Sequence, residues 1–301
     1  MSLNIHNETG ELVSVILGIG QDMGEIPKIE ECIDPKTRLN ILNNTYPLEI
    51  DCIREIEKFH DILIKYNVKV LRPDNIANLN QIFTRDISFV VGDKIFIPDI
   101  IESRNREKDG IKCFLDTLEE SEKIIIPQNI KIEGGDIIIH NDHIFIGYSD
   151  AYSELKVSRT SAKAIDFIRE IFPKKNVIGL NLIKDDKDPN KSILHLDCAM
   201  QPIGEKKLII YEEGFRNKEE LYQLYDIFGE RNLIKINQYE MFEGCSNVFS
   251  INPNTIVSDL TFDRLNNKLK SLNFVVEKVH YREVSKFGGL FRCSTLPLNR
   301  I

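Results

Sequence analysis

The sequence predicts an α/β fold of five small sheets set as blades of a ring, on three observations. Four stretches each read as a β-hairpin, then a helix, then a strand, a ββαβ-type unit. These units recur at a period of roughly fifty residues, the mark of a radial or stacked repeat. The opening strand and the last segment of the chain supply the pieces of a fifth unit, which joins the two ends. One such domain is expected over residues 1–301.

In chain order, Glu11 to Gly20 is an apolar run that reads as a buried strand. Ile53, Ile56, Phe59 and Leu63 recur at helical spacing between Pro47 and Asn67, and Val68 to Leu71 reads as a short strand. Phe83 to Pro98 holds two apolar runs around Gly92-Asp93, a hairpin by turn chemistry. A charged helix over Arg104 to Glu120 and a strand over Ile124 to Ile126 complete that unit.

The second unit has its hairpin at Asp136 to Gly147, a helix near Ser161 to Ile171 and a strand near Val177 to Leu180. In the third, the hairpin Asp197 to Ile210 precedes helix Lys218 to Phe228 and strand Leu233 to Ile236. The fourth is hairpin Asn247 to Val257, helix Phe262 to Leu272 and strand Phe274 to Val279.

Composition excludes several classes. Hydrophobic content of 42% and charged content of 29% are those of an ordinary globular protein. A net charge of −8 argues against nucleic acid as a partner and suits a small cationic substrate. The polar N-terminus lacks a signal-peptide core and no run reaches membrane-spanning length, so the expectation is a cytoplasmic protein with no membrane partner. A homo-oligomer is left open. Six scattered cysteines without a CxxC pair fit neither a zinc site nor a disulfide framework. His140 and His143 flank a turn at Asn141-Asp142 and read as a solvated hairpin tip, not as metal ligands. In Gly18-Ile19-Gly20-Gln21-Asp22-Met23-Gly24 the third glycine falls one place late for a dinucleotide fingerprint. No metal and no organic cofactor are expected.

The repeat has a chemical consequence. Each hairpin opens on a polar residue at the same place: Asp86, Asp136, Asp197, Asn247 and, in the closing unit, Cys293. Equivalent positions of a ring face a common axis, and burying acids there is costly without a cationic partner. Cys293 follows the pair Gly288-Gly289, which permits a tight turn, and its neighbour Arg292 is expected to lower the thiol pKa.

Four motifs, Phe83-Thr84-Arg85-Asp86, Ile132-Glu133-Gly134-Gly135-Asp136, His195-Leu196-Asp197 and Gly288-Gly289-Leu290-Phe291-Arg292-Cys293, resemble the guanidino-group-modifying superfamily. Arginine deiminases, dimethylarginine dimethylaminohydrolases and amidinotransferases belong to it. The resemblance spans nearly the whole chain and implies the five-bladed pentein α/β-propeller. It implies Cys293 as the nucleophile on the guanidinium carbon, His195 as general acid and base, and Glu133 as its acidic partner. Asp86 and Asp197 match the carboxylates that grip the guanidinium, for which paired acids suit a planar, permanent cation. Arg159, in Ser158-Arg159-Thr160-Ser161, matches an arginine that meets the substrate carboxylate, with Arg104 or Arg106 in a second such role.

The chain departs from the family in the longer Tyr148 to Leu155 stretch and in Leu290-Phe291, where many relatives carry glycines. It has no room for the helical insertion of arginine deiminases proper. An acid at Asp197, where dimethylarginine dimethylaminohydrolases often carry lysine, favours unsubstituted guanidinium nitrogens. The expectation is a compact deiminase-like hydrolase of arginine metabolism, acting on arginine or a close relative through an amidino-cysteine intermediate. Amidino transfer to an amine is the alternative. A binding protein on the same ring would lack the Cys–His–acid set, and a papain-like hydrolase would reverse the order of cysteine and histidine.

Overall fold

The structure is a computed structural model that describes residues 2–301. Strands β1 (Leu12–Leu17) and β2 (Lys69–Leu71) come first. Then β3 (Phe89–Val91), β4 (Lys94–Ile97) and β5 (Lys123–Ile125) form one sheet, and β6 (Ile137–His140), β7 (His143–Tyr148) and β8 (Asn176–Asn181) the next. A third contains β9 (Met200–Ile203), β10 (Lys207–Ile210) and β11 (Leu233–Lys235), and a fourth β12 (Phe249–Asn252), β13 (Thr255–Asp259) and β14 (Val275–Val279). The last strand, β15 (Thr295–Arg300), returns to β1 and makes the fifth sheet, in the order β15-β1-β2.

Every sheet repeats one pattern: an antiparallel pair whose second strand also pairs in parallel with a third. A hairpin followed by a crossover connection gives that arrangement. Gly92 (φ 62°) and Asn141 (φ 54°) supply the left-handed backbone that two of the hairpin turns need. In the fifth sheet the two ends of the chain take the place of the hairpin, with Leu17 opposite Thr295 and Leu12 opposite Arg300. The expected five-bladed α/β architecture is therefore present.

The helices lie where apolar spacing puts them. Glu49–Lys65 buries Cys52, Ile56, Phe59 and Leu63 on one face. Helices Lys163–Ile171, Lys218–Phe228 and Asp263–Ser271 fall within two residues of their expected limits. The charged helix expected over Arg104 to Glu120 is not there. Glu102–Ile111 forms a 3₁₀ stretch and Lys112–Leu115 a single α-turn. The segment lacks a sustained apolar stripe, and Gly110 packs so closely that a Cβ would lie 2.2 Å from Gln81 Nε2. The 21–48 stretch, unassigned from sequence, contains a helix at Pro35–Leu42, capped by Asp34 accepting from the Thr37 amide at 2.7 Å. The tip residues Asn141 and Asp142 are exposed as expected, whereas His140 turns inward against Phe228, ring centroids 4.7 Å apart.

The N-terminal residues stitch the blades together. Asn4 bridges to Asn299, Ile5 to Gly92 and Asn7 to His140, so one short segment touches three sheets. Glu8 then meets Arg292, which is fully buried, at 2.9 Å. All five ring-equivalent residues, Asp86, Asp136, Asp197, Asn247 and Cys293, are buried and lie within three residues of the first strand of their sheet.

Candidate active site

Each site residue is delivered by a short turn that precedes a strand. Asp86 sits in the helical turn Thr84–Ile87 and Glu133 caps the 3₁₀ turn Gly134–Asp136. His195 caps the 3₁₀ turn Leu196–Cys198, which contains Asp197. These three turns pack on one another. Asp136 locks the arrangement: its Oδ1 accepts the Leu196 amide at 2.9 Å, tying the second turn to the third.

The turns surround a cavity of about 280 Å³ whose wall includes Asp86, His195, Cys293, Arg104 and Arg159. Phe83 and Tyr46 add apolar surface, and Asp34 and Glu25 add acidic groups. Glu133 stands behind His195, with Oε2 2.9 Å from Nε2. The other ring nitrogen, Nδ1, lies 3.6 Å from Asp86 Oδ1, too far for a hydrogen bond. Arg159 Nη1 lies 3.6 Å from Glu133 Oε1. His195 Nδ1, Asp86 Oδ1, Glu133 Oε1 and Arg159 Nη1 are all buried without a hydrogen-bond partner. They face one another as two buried pairs, His195 with Asp86 and Arg159 with Glu133, each 3.6 Å apart and so beyond direct hydrogen bonding.

The sequence-derived residues thus converge, with differences in setting. Arg104 lines the cavity, but its guanidinium is engaged by three acids: Nη1 is 2.8 Å from Asp86 and 3.4 Å from Glu133, and Glu107 is held through Nε and Nη2 at 2.8 and 2.7 Å. Arg106 is exposed and away from the cavity wall. Asp197 stands behind Cys293, fully buried, with Oδ2 accepting from Arg292 Nη1 at 2.9 Å and lying 3.5 Å from Cys293 Sγ. Asn247, which sequence reasoning placed on the ring but gave no task, donates from Nδ2 to Cys293 Sγ at 3.1 Å.

Arg292 does not do what its position beside Cys293 suggested. Its guanidinium turns away from the sulfur to Glu8, Asp197 and the Ile137 carbonyl. The Cys293 thiol is instead pushed well up, by burial first and then by the charges of Asp197 and Asp86. Burial would lower the His195 pKa, but Asp86, the hydrogen bond that Nε2–H donates to Glu133 and the charge of Asp136 outweigh it and raise it to about 9. Glu133 is held below the usual carboxylate range: burial opposes this, and Arg159, the His195 hydrogen bond and Arg104 prevail.

Asp86, Glu133 and His195 offer donor atoms within 4.8 Å of one another, the spacing of a metal-binding set. The same acids already hold the Arg104 guanidinium, whose positive charge opposes a metal ion there.

The family model for N,N-dimethylarginine dimethylhydrolase, eukaryotic, matches residues 40–300. An uncharacterized protein of Bacillus subtilis (strain 168), YkgA, is 32% identical over 243 residues, covering 80% of this chain and 77% of YkgA. The arginine deiminase of Listeria monocytogenes serotype 4a (strain HCC23) is 22% identical over 73% of this chain, and the match spans 61% of that enzyme. Among solved structures, the N-terminal domain of the cyanobacterial arginine dihydrolase ArgZ superposes with a TM-score of 0.79 at 19% identity, over 96% of this chain and 98% of the domain. That likeness concerns the fold, and it agrees with the five sheets described above. With the sequence match over most of its length, the chain belongs to the N,N-dimethylarginine dimethylhydrolase family, within the guanidino-group-modifying enzymes of the pentein fold.

Proposed function

We propose that residues 1–301 form one catalytic domain, a cysteine-dependent hydrolase of the guanidino group of arginine or a close relative. The observation that carries this reading is one cavity whose wall brings together Cys293, His195, Asp86 and Arg159, with Glu133 bonded to His195 from behind. In this reading a guanidinium enters beside Asp86, where Oδ1 is open to accept from its N–H groups. Its positive charge offsets the carboxylates that keep Cys293 protonated, so the sulfur passes its proton to solvent as substrate binds and regains one when the product leaves. The thiolate forms a C–S bond to the guanidinium carbon, and His195 donates its proton to the nitrogen that leaves as ammonia or an amine. His195, now neutral, takes a proton from water as the oxygen bonds to that carbon. Breaking the C–S bond then releases the ureido product. Arg159, which lines the cavity beside Glu133, would meet the substrate's carboxylate.

The test is to incubate the protein with arginine, dimethylarginine and other guanidino compounds, with and without amine acceptors, and to identify the products. Ammonia and citrulline in equal amounts from arginine alone support the reading, and Cys293→Ala should abolish turnover. Ornithine released only when an amine is added, with the amidino group recovered on that amine, would establish a transferase instead.

A further inference from the structure

Asn247 occupies the ring position next to Cys293 in chain order, two residues before β12, and is 1% exposed. Its carboxamide is used at both ends. Oδ1 accepts from the Leu290 and Cys293 amides, each at 3.2 Å, which closes the turn that carries the nucleophile. Nδ2 donates to Cys293 Sγ at 3.1 Å. Clamping the turn needs only the oxygen; the second contact aims the sulfur.

The charged and titratable neighbours of that sulfur come from two other elements and from its own segment. From the turn 196–198, Asp197 lies 3.5 Å away, and the Cys198 thiol sits on the other oxygen of the same carboxylate at 3.6 Å. Asp86 reaches it from the turn 84–87, and His195 shares the cavity wall. Arg292, on the same segment as Cys293, is spent on Glu8 and Asp197. The acids oppose an anion on sulfur, whereas an amide N–H bonds a thiolate more strongly than a thiol.

We infer that Asn247 is a positioning residue for the reaction: it holds Cys293 Sγ toward the cavity and stabilises the thiolate through the Nδ2–H···S bond. The inference rests on Cys293 being the nucleophile.

The conservative change Asn247→Asp keeps the shape and the acceptor for both amides but replaces the donor on sulfur with an acceptor. Alkylation of Cys293 by iodoacetamide, followed by peptide mass spectrometry across a pH series, reads the effect without substrate. In Asn247→Asp the midpoint of reactivity should move up by about one pH unit or more, and kcat should fall by about tenfold or more with little change in KM. Thermal melting establishes that the variant is folded; if it is not, Asn247→Ser, whose hydroxyl can donate to sulfur but reaches less far, is read in the same assay and should shift in the same direction. A wild-type alkylation profile in a folded variant overturns the role of Asn247. Turnover by Cys293→Ala would instead remove the nucleophile on which the inference depends, so the two failures are distinct.

Discussion

Burial and the carboxylates of Asp197 and Asp86 keep the sulfur of Cys293 protonated at rest, and His195 carries its own proton up to about pH 9. In the proposed reaction the positive charge of the substrate is what lets the thiol ionise at neutral pH. The His195 pKa is raised on folding, so its stabilising contribution is complete below about 6.5 and is lost as pH rises through about 9. Replacing Glu133 by Gln removes a hydrogen bond and a charge that hold the proton. NMR titration of His195 in a Cys293→Ala background should show its pKa lower in Glu133→Gln than in the parent, by about one unit or more; an unmoved titration would mean that Asp86 and Asp136 set it. That Cys293, His195, Glu133 and Asp86 come together was legible in the sequence, because each stands in a short motif that resembles the family's. The direction of Arg292 was not, since its partner Glu8 lies at the far end of the chain.

At the scale of elements, the turns before the strands carry the precision. Gly135 lies where a Cβ would be 2.7 Å from the His195 ring and 2.8 Å from Asp86 Oδ1, so the turn Gly134–Asp136 can approach only because that side chain is missing. Gly135→Ala should displace His195 by a fraction of an ångström to an ångström and lower kcat by about a hundredfold, with a much smaller effect on thermal stability. Steady-state kinetics beside a melting curve will separate the two; normal kcat would show that the ring has room to move. These turns were also the least legible elements. A three-residue 3₁₀ turn has no period to detect, whereas each hairpin was bounded by turn residues and each long helix by an apolar stripe. The same reasoning explains why the charged stretch 104–120 is not the one helix expected there: Gly110 and the lack of an apolar face break it.

For the whole molecule, the Glu8–Arg292–Asp197 chain of buried charges ties the N-terminal segment to the closing blade. Burial raises the Glu8 pKa, but Arg292 and Arg85 reverse that and hold it at about 2. Its stabilising contribution is therefore complete above about 4.5 and is lost as pH falls toward about 2. Glu8→Gln leaves Arg292 with one carboxylate instead of two, and should cost about 3–5 kcal/mol in denaturant unfolding at pH 7, shrinking as the pH is lowered. Equal midpoints for both proteins at pH 7 would show that the network contributes nothing net. The pairing of β1 with β15 has a further consequence for how the molecule comes together. Four of the sheets begin from hairpins between near neighbours, while the fifth must bring Leu12 to Arg300. Relative to closing a ten-residue loop, that costs about 3 kcal/mol more in chain entropy. On chain entropy alone, the blade behind the nucleophile is the one expected to close last, which would bring Cys293 to acids already gathered.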